Sequence, residues 1–160
     1  MELGKAMGAK VIAAASTNDK LQVAKEAGAD DLINYTDEDL KDALKSRYPQ
    51  GIDVIYDPVG DRFTEPALRN MAWNGRFLIV GFAAGDIPKI PANLTLLKGC
   101  SVVGVFWGAF TAKEPKEHIQ NVKELMQLFA DGKIYPRVSE VFPFGQYEDC
   151  LLHTSYAANA

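Results

Sequence analysis

The sequence predicts an α/β fold, a doubly wound parallel sheet with helices on both faces, on three observations. Short apolar runs alternate with segments of helical period along the whole chain. Several runs are apolar at consecutive positions, as strands covered on both faces require. Stop signals at Ala27-Gly28, Pro49-Gln50-Gly51, Pro58-Val59-Gly60, Asn74-Gly75 and Asp131-Gly132 fall between segments, and no repeat, low-complexity tract or linker interrupts the pattern.

Residues 10–16 form the first apolar run and predict a strand; Asn18 or Asp19 can cap the helix that follows, which ends at Ala27-Gly28. Residues 31–35 predict the next strand. Thr36-Asp37-Glu38-Asp39 then supplies a capping hydroxyl and three acids to the positive end of a helix. The run 52–57 is rich in β-branched side chains and reads as a central strand. A helix over about 62–73 is expected to stop at Asn74-Gly75, before a strand over 76–81. Pro88 and Pro91 keep the next connection out of a central strand, and 101–107 predicts another one. Ile119, Val122, Leu125, Met126 and Phe129 recur at helical spacing within 115–130, the longest helix. A short edge strand over 138–142, a helix over 146–153 and an Ala/Asn tail complete the chain.

Of 160 residues, 48% are apolar and 24% charged, with 17 basic against 21 acidic side chains and a net charge of −4. One soluble domain is expected. A chain of this size buries roughly 70% of its unfolded surface, so its core needs neither disulfides nor a structural metal. The apolar stretches 77–85 and 100–112 fall short of the roughly 18 residues of a spanning helix. With no secretory signature at its start, the protein is expected in the cytoplasm, without a membrane partner. Cys100 and Cys150 stand alone in the sequence and read as reduced thiols, not metal ligands. A pI near 5.2 with scattered basic residues lacks the positive stripe that nucleic acid requires.

In a doubly wound sheet the ligand site lies at the carboxyl ends of the strands, near the switch in strand order. In nucleotide-binding sheets an acid ending the second strand accepts from both ribose hydroxyls and repels a phosphate. Ser16 stands in that place here. Lys20, one helical turn on, can bring an ammonium to a phosphate held at the helix N-terminus. The pair favours the 2′-phosphate of NADP; the bland alternative is a helix cap followed by a solvated lysine. Asp57 can cap the next helix or meet a ligand hydroxyl. Gly81-Phe82-Ala83-Ala84-Gly85 can let backbone amides approach a flat ring, or can be a turn around one buried Phe. His118 and His153 have no nucleophile or carboxylate partner within their own segments and read as surface or packing residues.

Seven segments, in order, resemble one family. They are Leu3-Gly4-Lys5-Ala6-Met7-Gly8-Ala9-Lys10-Val11-Ile12, Lys25-Glu26-Ala27-Gly28-Ala29-Asp30, Ile33-Asn34-Tyr35, Gly51-Ile52-Asp53-Val54-Ile55-Tyr56-Asp57-Pro58-Val59-Gly60, Gly75-Arg76-Phe77, Pro91-Ala92-Asn93-Leu94 and Leu97-Lys98-Gly99. The family is the zinc-independent medium-chain dehydrogenase/reductases of the quinone oxidoreductase or zeta-crystallin-like group, specifically their Rossmann-like cofactor-binding half. The resemblance implies that Ser16, Lys20 and Tyr35 hold the 2′-phosphate of NADPH. It implies that Asp57, Val59, Gly60, Phe82 and Val105 wall the adenine, ribose and nicotinamide. It implies hydride transfer to a quinone or an activated carbon–carbon double bond, no catalytic zinc, and no protein acid or base that can be nominated. It also implies a homodimer through the segment from Ser101 to Trp107.

Against that family, the sheet's first strand and its Gly-rich turn, which cradle the pyrophosphate, are missing before Met1. The N-terminal substrate domain is missing too. In the 3-2-1-4-5-6 strand order the first strand is central, so a seam is expected through the sheet, as in a truncated or split product. Residues 1–160 then form a partial NADP-binding domain, inactive as a fragment. The alternative is a non-catalytic interaction or dimerisation module derived from the same family.

Overall fold

The computed structural model describes residues 1–158, with side chains through Leu152. Its elements in chain order are α1 (Glu2–Ala6), β1 (Ile12–Ala15), α2 (Asn18–Glu26), β2 (Asp31–Asn34), α3 (Leu40–Arg47), β3 (Ile52–Asp57), α4 (Thr64–Leu68) and β4 (Met71–Ile79). They continue with α5 (Ala92–Lys98), β5 (Ser101–Gly104), α6 (Trp107–Lys113), α7 (Pro115–Ala130) and α8 (Tyr147–Ala158). The chain forms two compact units, one of Met1–Ile52 with Val105–Tyr135, the other of Asp53–Gly104 with the chain from Pro136. No described helix is long and apolar enough to cross a membrane.

In the first unit β1 and β2 pair in parallel, Ile12 opposite Asp31 and Ala15 opposite Asn34. Parallel pairing needs a crossover, which α2 supplies. Its buried Leu21 and Ala24 lie on one face, three residues apart. Ile33, Ala43 and Leu44 are buried together, with Ile12, Leu40, Tyr48 and Ile52 packed around them. The caps differ from expectation. Thr17, extended at φ −139°, caps α2 in place of Asn18 or Asp19. Asp39, not the Thr36 hydroxyl, caps α3. α7 runs over the predicted span, and the rings of His118 and Trp107 meet in a T-shaped contact at a centroid distance of 5.9 Å.

In the second unit the strand order is β3-β4-β5, with β4 and β5 parallel, Arg76 opposite Ser101 and Ile79 opposite Gly104. Among the described residues these strands form one sheet, and β1 with β2 another. The core is Ala67, Leu68, Met71, Phe77 and Leu94, ringed by Ile55, Ile79, Ile90, Cys100 and Val102. Each large side chain buried this fully contributes about 1.5–3 kcal/mol. β3 is an edge strand of its sheet with Val54 and Tyr56 exposed, so its reading as a central strand is not met.

Other boundaries moved. α4 ends at Leu68, and β4 begins at Met71, so the predicted stop Asn74-Gly75 lies inside a strand. Burial of Met71 and Ala72 outweighs the local turn signal, which survives as a kink at Asn74, φ 60°. The N–H of Asn74 donates to the Gly99 carbonyl at 2.9 Å. β5 stops at Gly104, and Trp107 opens α6 where a strand was expected to end. Residues 138–142 form no strand. α8 begins at Tyr147 and continues past the expected His153, whose side chain lies outside those described, as do Asn159 and Ala160 of the tail.

Gly99 ends α5 in the left-handed region, φ 58°, and a Cβ there would lie 2.3 Å from Trp73 Cζ3. This gives the Leu97-Lys98-Gly99 segment its physical reason. Gly99→Ala is expected to cost about 1–2 kcal/mol for the backbone conformation alone. A lowered midpoint in urea would carry that cost, and an unchanged one would contradict it.

Around α3 the Tyr48 hydroxyl donates to Asp31 Oδ2 at 2.5 Å. Arg47 donates to the Leu32 carbonyl at 2.8 Å and to both Glu38 oxygens at 2.7 Å. The Tyr48 hydroxyl, then the Leu32 N–H and the Arg47 and Lys10 charges, hold the Asp31 carboxyl below its ordinary 3.8, against the opposing effect of burial. Burial, followed by the Asp31 hydrogen bond and charge, pushes Tyr48 from 10.0 up to about 12. The Asp31 contribution is present above pH 3.8 and is lost as pH falls through its lowered value. The Tyr48 contribution is present below pH 10.0 and is lost as pH rises toward about 12. Tyr48→Phe is therefore expected to lower the unfolding midpoint at neutral pH, by an amount that shrinks at both extremes. Melting curves from pH 3 to 11 test it; a difference independent of pH would refute it.

Candidate functional site

The candidate residues fall at strand ends in both units: Ser16, Lys20, Tyr35 and Val105 in the first, Asp57, Val59, Gly60 and Phe82 in the second. In the first unit Ser16 follows β1 and Tyr35 follows β2, side by side because the parallel register sets Ala15 opposite Asn34. The Tyr35 N–H donates to the Ala15 carbonyl at 3.2 Å, and the Thr36 hydroxyl donates to the Ser16 carbonyl at 2.9 Å. Thr17 Oγ1 accepts from the Lys20 N–H at 3.3 Å. Asn34 Nδ2 donates to Asn18 Oδ1 at 3.0 Å and to Asp37 Oδ2 at 2.7 Å. Its Oδ1 accepts from the Thr36 N–H at 3.1 Å. One polar network thus joins the first turn of α2, which carries Lys20, to both strand ends. Ser16 and Tyr35 are half-buried, and Lys20 is exposed. A helix N-terminus, small hydroxyls and an ammonium together suit an anion.

Asn18, Asn34 and Thr36 were not singled out as site residues from the sequence. Their signal was the density of short polar side chains just after two adjacent strands. Val105 directly follows β5 and is 38% exposed, before Phe106 opens the way to α6.

In the second unit Asp57 ends β3 and is 9% exposed. Its Oδ1 accepts from the N–H groups of Val59 and Gly60, both at 2.9 Å. Oδ2 accepts from the Thr64 hydroxyl, also at 2.9 Å. These contacts close the 57–60 turn and do not meet the reading of Asp57 as a helix cap, since neither the 61–63 turn nor α4 takes a side-chain cap hydrogen bond. Beyond the ends of β3 and β4 the two loops stay zipped: the Val80, Ala83 and Ala84 N–H groups donate to the Asp57, Pro58 and Val59 carbonyls at 2.9, 3.0 and 3.0 Å. Gly60, at φ 74°, leaves room for the Phe82 ring, since a Cβ there would lie 2.9 Å from Phe82 Cδ1. Phe82 is 38% exposed, so it is not the wholly buried residue of a closed turn. Among the described residues no group of His, Cys, Asp or Glu is gathered closely enough to hold a metal ion.

The family model described as zinc-binding dehydrogenase matches residues 1–131. Quinone oxidoreductase-like protein 2 of Bos taurus is 38% identical over 148 residues, 92% of this chain and 42% of that protein. The quinone oxidoreductase-like protein 2 homolog of Nematostella vectensis is 42% identical over 137 residues, 84% of this chain and 37% of that protein. The solved structure of Escherichia coli quinone oxidoreductase complexed with NADPH superposes with a TM-score of 0.76 at 30% identity, covering 86% of this chain and 43% of that one. The chain spans less than half the length of these relatives. Shared sequence along most of the chain and a shared α/β architecture lead to one conclusion: the chain belongs to the zinc-binding dehydrogenase family, within its quinone oxidoreductase-like group.

Proposed function

We propose that the chain is the NADP-binding part of an NADPH-dependent oxidoreductase that passes hydride to a quinone or an activated carbon–carbon double bond. The observation that carries this reading is the network joining Ser16, the first turn of α2 and Tyr35, with an uncharged hydroxyl where a carboxylate would repel a 2′-phosphate. Relatives named quinone oxidoreductase-like, and a similar structure complexed with NADPH, support it. In this reading Ser16, Lys20 and Tyr35 take the 2′-phosphate. Asp57, Val59, Gly60, Phe82 and Val105 belong to the wall around the rest of the cofactor.

When bound, NADPH supplies the hydride. The chain's own residues bind and orient it. Lys20 donates to the phosphoryl oxygens, and the N-terminus of α2 favours their charge. The close packing of Phe82 on Gly60 presents a flat apolar surface.

A second reading, an interaction module without catalysis, draws support from the position of β5 at the end of its sheet order, where a second copy can extend the sheet. A dimer with no affinity for either nicotinamide cofactor would favour it.

Fluorescence titration of the protein with NADPH and NADH decides between them. NADPH is expected to bind more tightly, and Lys20→Ala to weaken it by about ten- to hundredfold, the worth of one charge-assisted hydrogen bond, with little effect on NADH. Equal affinity for both cofactors, unchanged in the variant, would overturn the assignment.

A further inference from the structure

We propose that Asp57 and Thr64 are positioning residues whose hydrogen bond fixes the 58–60 turn and, through it, the Phe82 ring, setting affinity for the part of the cofactor beyond its 2′-phosphate. The inference rests on the cofactor reading above.

Both oxygens of the Asp57 carboxylate are already engaged, Oδ1 by two backbone N–H groups and Oδ2 by the Thr64 hydroxyl. Thr64 is 1% exposed and opens α4, so the acceptor is anchored to an element packed in the core. The turn it holds is not a relaxed one. Gly60 at φ 74° and Asp61 at φ 52° lie in succession in the left-handed region. A non-glycine residue there costs about 1–2 kcal/mol, so the turn persists only where its surroundings hold it.

Two consequences follow from that hold. The Pro58 and Val59 carbonyls are aimed at the Ala83 and Ala84 N–H groups, which fixes the second loop against the first. Gly60 is held where the Phe82 ring can rest on it. Asp57 therefore acts through Val59, Gly60 and Phe82. A carboxylate with three protein donors is organised to shape a turn more than to bind a ligand hydroxyl.

Thr64→Val keeps the side-chain shape and removes the donor; Thr64→Ser restores the donor. Each variant of the whole protein is titrated with NADPH and with adenosine 2′,5′-bisphosphate, which carries the 2′-phosphate but no nicotinamide. Amide hydrogen exchange is followed at Val59, Gly60, Ala83 and Ala84. Thr64→Val is expected to weaken NADPH about tenfold and the bisphosphate, which lacks the nicotinamide, by clearly less, with faster exchange at those four amides. Thr64→Ser is expected to return both toward wild type.

Asp57→Asn covers the case in which Thr64→Val does not fold. It keeps one oxygen for the two N–H groups and loses the charge, for a loss of about fivefold in NADPH affinity and a smaller one for the bisphosphate. Equal weakening of both ligands, no change in either, or failure of Thr64→Ser to rescue would overturn the proposal. If the wild-type protein binds neither ligand, the cofactor reading falls and the role assigned here falls with it. Unchanged exchange at the four amides in a protein that does bind NADPH overturns the positioning role alone.

Discussion

Parallel pairing is the constraint from which the site geometry follows. Two strands pointing the same way cannot be joined by a hairpin, so the chain must return through a crossover before the second strand begins. In this chain β1 pairs in parallel with β2, and β4 with β5. Paired strands therefore finish on a common edge. Residues far apart in sequence become neighbours there with no specific attraction between them. Ser16 and Thr36, 20 residues apart, meet through a hydrogen bond of 2.9 Å on this account. The polar network among Thr17, Asn18, Asn34 and Asp37 then refines a juxtaposition already imposed by strand direction.

Elements defined by a long run of one period were legible in the sequence. The apolar positions of α7 mark its helical period over four turns, and β3 was bounded by Gly51 and by Pro58, two residues that end strands for covalent reasons. Boundaries set by competition were not legible. Asn74-Gly75 is as strong a stop signal as the chain contains, yet it sits within β4 because Met71, packed in the cluster of Phe77, and Ala72 are buried. The local preference became a kink instead of an end. Phe106 and Trp107 continue an apolar run without continuing its strand, since strand and helix cannot be told apart over so few residues. Val138 and Val141 are exposed at 75% and 85%, so the predicted edge strand had no surface to bury.

The candidate site divides in the same way. Ser16 and Lys20 could be nominated because their place in a βαβ order gives them meaning apart from their residue types, and Tyr35 took its nominated role from the family resemblance. Asp57 had two readings in sequence, a helix cap or a ligand contact, and its contacts with Val59, Gly60 and Thr64 instead close a turn that caps no helix. Thr64 itself carried no sequence signal. A threonine seven residues after an aspartate is ordinary, and its importance arises once a turn with two successive positive φ angles brings α4 back toward the end of β3.

Electrostatics sharpens what the proposed anion-binding cluster must do. The chain carries a net charge of −4, so its average field opposes the approach of a cofactor as anionic as NADPH. Asp19 lies in the first turn of α2, and Asp37 is bound to the same Asn34 amide that reaches Asn18. At physiological salt, exposed charges more than about 8 Å apart are largely screened, which weakens the repulsion and long-range steering alike. What survives is short-range: a donor within hydrogen-bond reach of a phosphoryl oxygen, and the partial positive charge at one helix end. In the proposed reading, selection for a 2′-phosphate therefore rests on geometry at Ser16, Lys20 and Tyr35, and not on a basic surface. An overall acidic composition and a preference for the more negatively charged of two cofactors are then compatible, because they operate over different distances.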